Sequence, residues 1–444
     1  MNITKTLLAG AICTAISGQV IAGSEIETLI KMLHANGTVD EAQYGRLMDE
    51  IRVGSEKAEI EKKQVQAQLD EATNIKVKLD KGGIHVATRD GAFAAKVGGR
   101  VQVDSAWYDD DGADMGNGTE IRRARIYLKG KMFTDWRYKL EYDFTGSGRP
   151  GIKDAFLSYK GFENIELKAG NFKDPFMLQE QTSSNNTTFT ERSLIDAFAP
   201  GRHIGAMAST QYKFWTASVG FFGDAVDTSS SDGNDDGWGA AGRATFAPVN
   251  EKTRVIHLGA AADYRGTGDN ESLRFKQQPE THVASVNIVD TGTIDGADNY
   301  LKLGAELAAV EGPFSAQAEY VWTTVERESG SDLDFDGWYI QAAYFLTGES
   351  RRYKKGTFAG VSPNSVVGRN GIGAWQLAAR YSAIDLTDGE IKGGEAESFT
   401  VGINWYPTST LRFSANYITV LDVDGGAHDG EEPSLAQVRG QWAF

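Results

Sequence analysis

Charged side chains alternate with apolar ones over long stretches of this sequence. Arg123, Arg125 and Lys129 are separated by apolar residues, and Glu141 and Asp143 continue the pattern further along. Because successive residues of a strand point to opposite faces, each stretch has one charged face and one apolar face. Spaced guanidinium and ammonium groups can replace an anion's hydration and release it to the next group. The pattern therefore predicts a charged wall, on which the basic residues either favour anions or only balance Glu141 and Asp143.

This alternation defines the fold class. It runs from about Ala95 to Phe444, whereas a soluble sandwich seldom exceeds roughly 250 residues. In a closed barrel the apolar face contacts lipid, the polar face contacts water, and closure satisfies every backbone hydrogen bond. We therefore predict an all-β, transmembrane antiparallel barrel of about 16 strands, a size that encloses an aqueous channel.

The connections between the predicted strands alternate in length, as expected for short periplasmic turns and long outer loops. Short turns are predicted near Thr134, Glu163, Lys213, Val249, Gly312 and Pro407. Long polar loops are predicted at 108–119, 173–203, 224–236, 266–298, 385–396 and 422–433. The segment 347–372 is an exception, because it is long but falls on the periplasmic side.

Both ends of the chain indicate export to the outer membrane of a Gram-negative bacterium. Residues 1–22 have the basic Lys5, a short apolar stretch and an acceptable cleavage site, as in a signal peptide. The one cysteine, Cys13, lies within this segment, and a lipidation site there is the less favoured alternative. At the other end, Trp442 and Phe444 lie on the apolar face of a final strand and predict a signal for the barrel-assembly machinery.

Residues 23–80 have a different pattern from the remainder. Ile26, Leu29, Ile30 and Leu33 recur at helical spacing, and Asn36-Gly37 interrupts them. We predict a periplasmic helical hairpin followed by a thin, coiled-coil-like segment, which either supports assembly or is a solvated spacer. The barrel domain is then 81–444.

Composition excludes several functions. The formal net charge of −16 does not suit nucleic-acid binding, which needs a basic surface. Without a cysteine beyond residue 22, thiol catalysis and thiolate metal sites are excluded. The six histidines stand in no recognisable nucleophile motif, so we predict that the chain is not an enzyme and needs no cofactor or metal.

Acidic runs mark several predicted outer loops. The densest of them, Asp232-Gly-Asn-Asp-Asp236, has enough oxygen ligands for calcium but lacks the EF-hand spacing and its closing Glu. A solvated acidic loop is the favoured interpretation. Divalent ions that bridge such a loop to lipopolysaccharide are the alternative.

Several motifs, in order, resemble those of the phosphate-selective porin O/P family over residues 95–444. They are Lys96-Val-Gly-Gly-Arg100, Ile121-Arg-Arg-Ala-Arg125, Asp135-Trp-Arg-Tyr-Lys139, Leu167-Lys-Ala-Gly-Asn171, Phe314-Ser-Ala-Gln-Ala-Glu-Tyr320, Leu346-Thr-Gly-Glu349 and Val401-Gly-Ile-Asn-Trp405. The resemblance implies a homotrimer of sixteen-stranded barrels. It also implies that the loops 173–203 and 266–298 fold inward and narrow the pore.

The resemblance further implies pore-lining residues. Arg100, Arg122 and Arg123 match positions of the family's arginine ladder, and Arg274 and Lys276 stand at later ladder positions. Asn185 occupies the place of the central lysine in phosphate-type members, and Glu395 and Glu397 replace lysines near the strand before Val401. The predicted anion-binding wall consists of Arg100, Arg122, Arg123, Arg125, Lys129, Asn185, Arg274 and Lys276.

The expected function is passive diffusion of small hydrophilic solutes, most favourably anions such as phosphate, through a channel lined by Arg and Lys. The alternatives are a general or weakly cation-selective porin, or a structural outer-membrane barrel. Expected partners are outer-membrane lipid, lipopolysaccharide, the assembly machinery, two further copies of the chain and small anions.

Overall fold

The computed structural model describes residues 26–73, 75–80, 82–145, 151–226, 237–268 and 272–444. The predicted signal peptide, with Cys13, and the acidic run 232–236 lie outside these residues. Within them, sixteen long strands form one antiparallel sheet. They are β1 (Ala94–Asp109), β2 (Gly118–Met132), β3 (Trp136–Asp143), β4 (Ile152–Phe162), β5 (Ile165–Lys173), β6 (Arg202–Gln211), β7 (Trp215–Phe222), β8 (Trp238–Asn250), β9 (Arg254–Gly266), β10 (Ala297–Glu311), β11 (Phe314–Arg327), β12 (Leu333–Phe345), β13 (Ala374–Asp388), β14 (Ile391–Tyr406), β15 (Leu411–Asp424) and β16 (Ser434–Ala443).

The sheet closes into a barrel, as predicted. Each strand pairs with its neighbours in the chain, and β16 returns to β1 with Ser434 opposite Asp109 and Ala443 opposite Arg100. Phe444 completes the closure, since its backbone exchanges two hydrogen bonds with Gly99 at 2.9 and 3.0 Å. Closure leaves no edge strand with unpaired backbone groups. The sheet therefore offers no edge to which another chain could add a strand.

The two faces of the barrel follow the alternation in the sequence. On β12, Leu333, Phe335 and Tyr339 are buried inside, whereas Trp338 and Ile340 are exposed outside. Many of the exposed large side chains are aromatic. Trp375 and Trp405 stack at the short-turn end, and Trp338 stacks on Tyr381 in the middle of β12 and β13. The outer wall is therefore apolar and rich in aromatic side chains.

The connections follow the predicted asymmetry, with one correction. Residues 385–396, predicted to be a long loop, form a tight hairpin in which β13 reaches Asp388 and β14 starts at Ile391. The strands continue because Ile384, Leu386 and Ala396 keep the alternation and are buried on the inner face. The polar residues between them had suggested a loop.

Three connections fold into the barrel. We call residues 174–201 the first inward loop, 267–296 the second inward loop and 346–373 the inward turn. The first two were predicted to fold inward, and the third enters from the short-turn end. The first inward loop contains a short helix, α3 (Leu178–Gln181), and a one-turn 3-10 helix (Leu194–Phe198).

Apolar contacts hold the first two inward loops against one side of the lumen. We call this group the apolar cluster. Its buried members include Phe176, Leu194, Ile195 and Phe198 of the first loop, Phe275 and Ile288 of the second, and Val321, Phe335, Tyr339 and Ile384 of the wall. Burying one such side chain contributes about 1.5–3 kcal/mol. The cluster therefore fixes both loops on β11–β13.

Polar anchors reinforce this packing. Glu319 on β11 accepts hydrogen bonds from the backbone N–H groups of Leu178 and Gln179, at 2.5 and 2.8 Å, at the start of α3. Glu280 of the second loop accepts hydrogen bonds from Ser382 and Thr400, at 2.6 and 2.5 Å, and pairs with Arg380.

The N-terminal unit is helical, as predicted. Residues 26–35 form a helix, here α1, and α2 (Glu41–Thr73) follows after a break at residues 36–40. Asp40 caps α2, because Asp40 and Gln43 exchange side chain-to-backbone hydrogen bonds at 2.8 and 3.2 Å. Two short strands, Ile75–Asp80 and Gly83–Thr88, come next in the chain. The predicted coiled-coil segment thus ends earlier than expected, where Ile75, Val77 and Leu79 begin to alternate with charged residues.

No helix in the described part of the chain is long and apolar enough to cross a bilayer.

Candidate functional site

A cavity of about 660 Å³ lies in the lumen along β1–β8. It extends from the turn at Asn164, at the short-turn end, to Pro175, Gln181 and Ser184 of the first inward loop. Among the described residues, nine basic and three acidic side chains line it, which gives the wall a net charge of +6. They are Arg100, Arg125, Lys139, Lys160, Lys168, Lys173, Arg202, Arg243 and Lys355, with Glu141, Asp154 and Glu166. We call it the basic cavity.

The alternation of the strands positions these groups. Lys139 and Glu141 stand two apart on β3, so both point inward, and their Nζ and Oε2 atoms lie 3.0 Å apart. Lys139 also pairs with Asp154 on β4, and Arg202 on β6 pairs with the same carboxylate at 2.8 Å. A band of linked charges thus crosses four strands and keeps the long basic side chains in place.

Lys168 has a different environment. Its ammonium lies 4.7 Å from the ring centre of Phe156 and 4.9 Å from that of Phe172. Within the described residues no carboxylate forms an ion pair with it. The two rings stabilise the charge through their faces. Lys168 therefore lines the cavity without a fixed counter-charge among the described residues.

The inward turn supplies residues to the cavity that the sequence analysis missed. Lys355 and Thr357 line the wall. Arg243 donates a hydrogen bond to the carbonyl of Gly356 at 2.8 Å, and the Tyr353 hydroxyl lies 2.7 Å from Nδ1 of His257. These contacts hold the turn inside the barrel. Its unusual length on the short-turn side was the signal in the sequence that could have identified it.

Two of the predicted wall residues, Arg100 and Arg125, line the basic cavity. Arg100 donates to the Ser184 hydroxyl at 2.7 Å and lies 3.5 Å from Glu141. Arg125 donates to Asp143 at 2.7 Å. Ser184 links this part of the wall to the first inward loop.

Arg122 and Arg123 lie outside the cavity, beside Glu191 of the first inward loop. Arg122 binds the Glu191 carboxylate through two hydrogen bonds of 2.9 and 3.1 Å, and Arg123 lies 3.6 Å from it. Arg439 on β16 adds a contact of 2.6 Å. Burial disfavours the carboxylate, but the three guanidinium groups outweigh it and hold the pKa of Glu191 well below its usual range.

The structure does not bring the other predicted residues into the cavity. Lys129 is exposed, with its ammonium 4.8 Å from the ring centre of Tyr127. Asn185 is half-buried, and its carbonyl accepts a hydrogen bond from Gln441 at 3.2 Å. Arg274 and Lys276 are exposed on the second inward loop, where Arg274 pairs with Asp290 while Phe275 between them enters the apolar cluster.

The residues of the predicted assembly signal close the barrel. Trp442 is exposed on the outer face, and its ring stacks on that of Phe444 with centroids 4.4 Å apart. Gly98 and Gly99 lie against Phe444, and a Cβ at Gly98 would come within 2.4 Å of its carbonyl oxygen. Glycine is therefore required there for the last residue to pack.

In the described residues no group of three or more His, Cys, Asp or Glu side chains is arranged to hold a metal ion.

Counted over the described residues, the sheet is a closed barrel of sixteen long strands with an apolar outer wall, inward loops and a charged lumen. These features define the class of pore-forming barrels. Over residues 95–444 the chain matches the family described as Phosphate-selective porin O and P. Porin O of Pseudomonas aeruginosa is 32% identical over an alignment of 398 residues that covers 79% of this chain and 89% of that protein. The chain belongs to this family and is an outer-membrane porin.

Solved structures of lower identity share the fold. An anion-selective porin from Comamonas acidovorans superposes with a TM-score of 0.52 at 15% identity, covering 79% of this chain and all of that chain. The trimer form of OmpT from Vibrio cholerae gives a TM-score of 0.51 at 10% identity, covering 80% of this chain and all of that one.

Proposed function

We propose that this porin prefers anions and that its solutes pass along the basic cavity. The observation that carries the proposal is the net charge of +6 on the cavity wall, counted over the described residues, in a chain whose overall charge is −16. The low-dielectric protein around an aqueous lumen focuses the field of such charges on ions that enter it. Chloride, phosphate and other small anions are therefore the expected solutes, and transport is passive.

Lys168 and Lys355 are the groups that we assign first to solute contact. Neither forms an ion pair with a carboxylate among the described residues, in contrast to Lys139 and Arg202. A cation without a fixed partner can bind a passing anion without first breaking an ion pair. Arg100, Arg125 and Ser184 border the same space near the first inward loop.

The predicted phosphate preference is supported by the description of the family as phosphate-selective porins. The ladder residues Arg122 and Arg123 bind Glu191, and Arg274 and Lys276 are exposed on a loop. The basic cavity instead offers lysines at several depths. We therefore propose phosphate as one of several anions that pass.

The outer face and the ends of the chain complete the proposal. The exposed apolar and aromatic side chains of the barrel suit insertion in a bilayer, with lipid and lipopolysaccharide around it. We propose residues 1–22 as the signal peptide, 23–80 as the periplasmic segment and 81–444 as the barrel. A homotrimer is supported by the trimer form of OmpT.

The zero-current potential of the purified porin in a planar bilayer, under a KCl gradient, tests the proposal. We expect the zero-current potential to have the sign that a chloride-selective pore gives. We also expect the chloride current to decrease when phosphate is added. A potential set by potassium would favour a general or cation-selective porin. A complete lack of conductance would favour a structural barrel.

A further inference from the structure

A carboxylate of the first inward loop lies within a group of three arginines. Arg122 binds both Glu191 oxygens, at 2.9 and 3.1 Å, in the parallel geometry of an arginine-carboxylate pair. Arg439 lies 2.6 Å from one of these oxygens, and Arg123 lies 3.6 Å from it. The three arginines come from β2 and β16, which lie on either side of β1 in the wall. We call them the arginine group.

Fixed contacts hold Glu191 in this position. The carbonyl of Glu191 accepts a hydrogen bond from Arg380 at 3.1 Å, and that of Thr190 accepts one from Arg439. The Glu191 side chain is 13% exposed and that of Arg122 is 18% exposed, so water reaches the pair. The loop thus holds a largely buried carboxylate against the wall, and only a small part of it meets solvent.

The charges of this region are nearly balanced only because Glu191 is there. Within the described residues, the arginine group contacts two carboxylates, Glu191 and Asp104, and of the three arginines only Arg439 pairs with Asp104, at 2.5 Å. Three positive and two negative charges leave a net +1 with Glu191 in place and would leave +2 without its charge. Arg122 and Arg123 have Glu191 as their acidic partner.

We propose that Glu191 is a tethered counter-anion, which occupies the place on Arg122 and Arg123 where a diffusing phosphate or carboxylate would otherwise bind. The two-point geometry that holds Glu191 is the one by which guanidinium groups recognise phosphates and carboxylates in general. A tethered group competes at a high effective concentration, on the order of millimolar. A free anion therefore gains little by binding there.

This arrangement has a consequence for permeation, and it rests on the proposed function. A solute leaves a pore quickly only if each site along its path binds it weakly. Three arginines without a counter-anion would retain a multivalent anion. With Glu191 in place, the arginine group does not retain anions. They then pass through the pore along the basic cavity.

The test compares Glu191→Gln with Asp196→Asn in planar bilayers. Both variants remove one negative charge from the same loop, but Asp196 contacts Arg192 and, among the described residues, forms no ion pair with the arginine group. Phosphate block of the chloride current is measured for each variant and for the unaltered porin. We expect the half-blocking phosphate concentration to fall about tenfold in Glu191→Gln, as one charge-assisted pair implies, and to stay within about twofold in Asp196→Asn.

A purely structural role for Glu191 gives a different result. If the carboxylate only fixed the loop, Glu191→Gln would raise potassium and chloride currents alike and leave phosphate block unchanged, which would overturn the inference. Glu191→Asp keeps the charge and should therefore show the same phosphate block of the chloride current as the unaltered porin. An unaltered porin that selects cations, with phosphate block still appearing in Glu191→Gln, would overturn the proposed function and keep this inference.

Discussion

The two sides of the lumen use their inner faces differently. Along β11–β13 the inward-facing residues include Val321, Phe335 and Ile384, and they pack against the loops. Along β3–β6 the inward-facing residues include Lys139, Lys168 and Arg202, and they line an open cavity. The same two-residue alternation therefore serves two purposes. One side holds the constriction in place, and the other side sets the field that solutes experience.

This division predicts that substitutions on the two sides alter different observables. Changes on the apolar side should alter conductance, gating and stability, with little effect on ion preference. Changes on the basic side should alter ion preference, with little effect on stability. The predictions below are ordered by the size of the expected effect.

The largest effect is expected for Arg380→Met. Arg380 pairs with Glu280 of the second loop, donates to the carbonyl of Glu191 in the first loop, and lies 4.5 Å from the ring centre of Phe189. Its loss leaves Glu280 buried without a counter-charge, at a cost of about 3–5 kcal/mol. Unfolding in guanidinium chloride should show this loss, and single channels should show frequent transitions between conductance levels.

Two further variants sharpen this prediction. Arg380→Met combined with Glu280→Gln should lose less stability than Arg380→Met alone, because the buried charge is gone. Arg254→Met, which breaks the exposed pair with Glu311, should leave the free energy of unfolding almost unchanged, because solvent screens that pair. Equal losses for Arg380→Met and Arg254→Met would argue against a coupling of the two loops through Arg380.

A smaller effect is expected for Gly337→Ala on β12. A Cβ at Gly337 would lie 2.8 Å from Cγ2 of Ile195 in the first inward loop and 2.9 Å from the carbonyl of Ala383. Such overpacking costs about 1–3 kcal/mol and pushes the loop from the wall. Single-channel conductance should rise while the zero-current potential stays unchanged. Gly242→Ala is the control, since a Cβ there meets only the Ser218 carbonyl at 3.5 Å.

On the basic side, Lys168→Gln should reduce anion preference without altering stability. Among the described residues, nine basic groups line the cavity wall, and this substitution removes one of them. We expect the chloride-to-potassium permeability ratio to fall on the order of twofold. Lys276→Gln, on the exposed face of the second loop, should leave the ratio as it is. If Lys276→Gln changed the permeability ratio more than Lys168→Gln, the solute path would lie along Arg274 and Lys276 of the second inward loop.

The smallest effect is expected from pH. The folded pKa of Glu191 is depressed, so the stability from its pairing is present above the unfolded pKa of about 4.3 and is lost only as pH falls through the lower folded value. The difference in zero-current potential between the unaltered porin and Glu191→Gln should therefore be the same at about pH 7 and at about pH 5. Its disappearance at the lower pH would contradict the pairing.

Periodicity alone predicted much of the fold, because it depends on local alternation. The strand number and the final strand that ends at Trp442 and Phe444 follow from residues close together in the sequence. The hairpin at residues 385–396 was missed because its charged residues lie on the outer face of strands, a position that a polar loop resembles in composition.

The site was less accessible to sequence reasoning. Arg100 and Arg125 line the cavity as expected. The pairing of Arg122 with Glu191, 69 residues away in the chain, depends on how the loop packs, and no local pattern encodes it. Lys355 was missed for the same reason, because the inward fold of its turn depends on distant contacts with Arg243 and His257.

The central claim is that anions pass along the basic side, and a matched pair of cysteines tests it most directly. Ser218 on β7 lines the cavity, whereas Ser398 on β14 is buried on the inner face of the other side. In a background where Cys13 is replaced by alanine, an anionic sulfonate thiol reagent should reduce the current of Ser218→Cys and leave that of Ser398→Cys unchanged. A reduced current in Ser398→Cys with no reaction in Ser218→Cys would contradict the account.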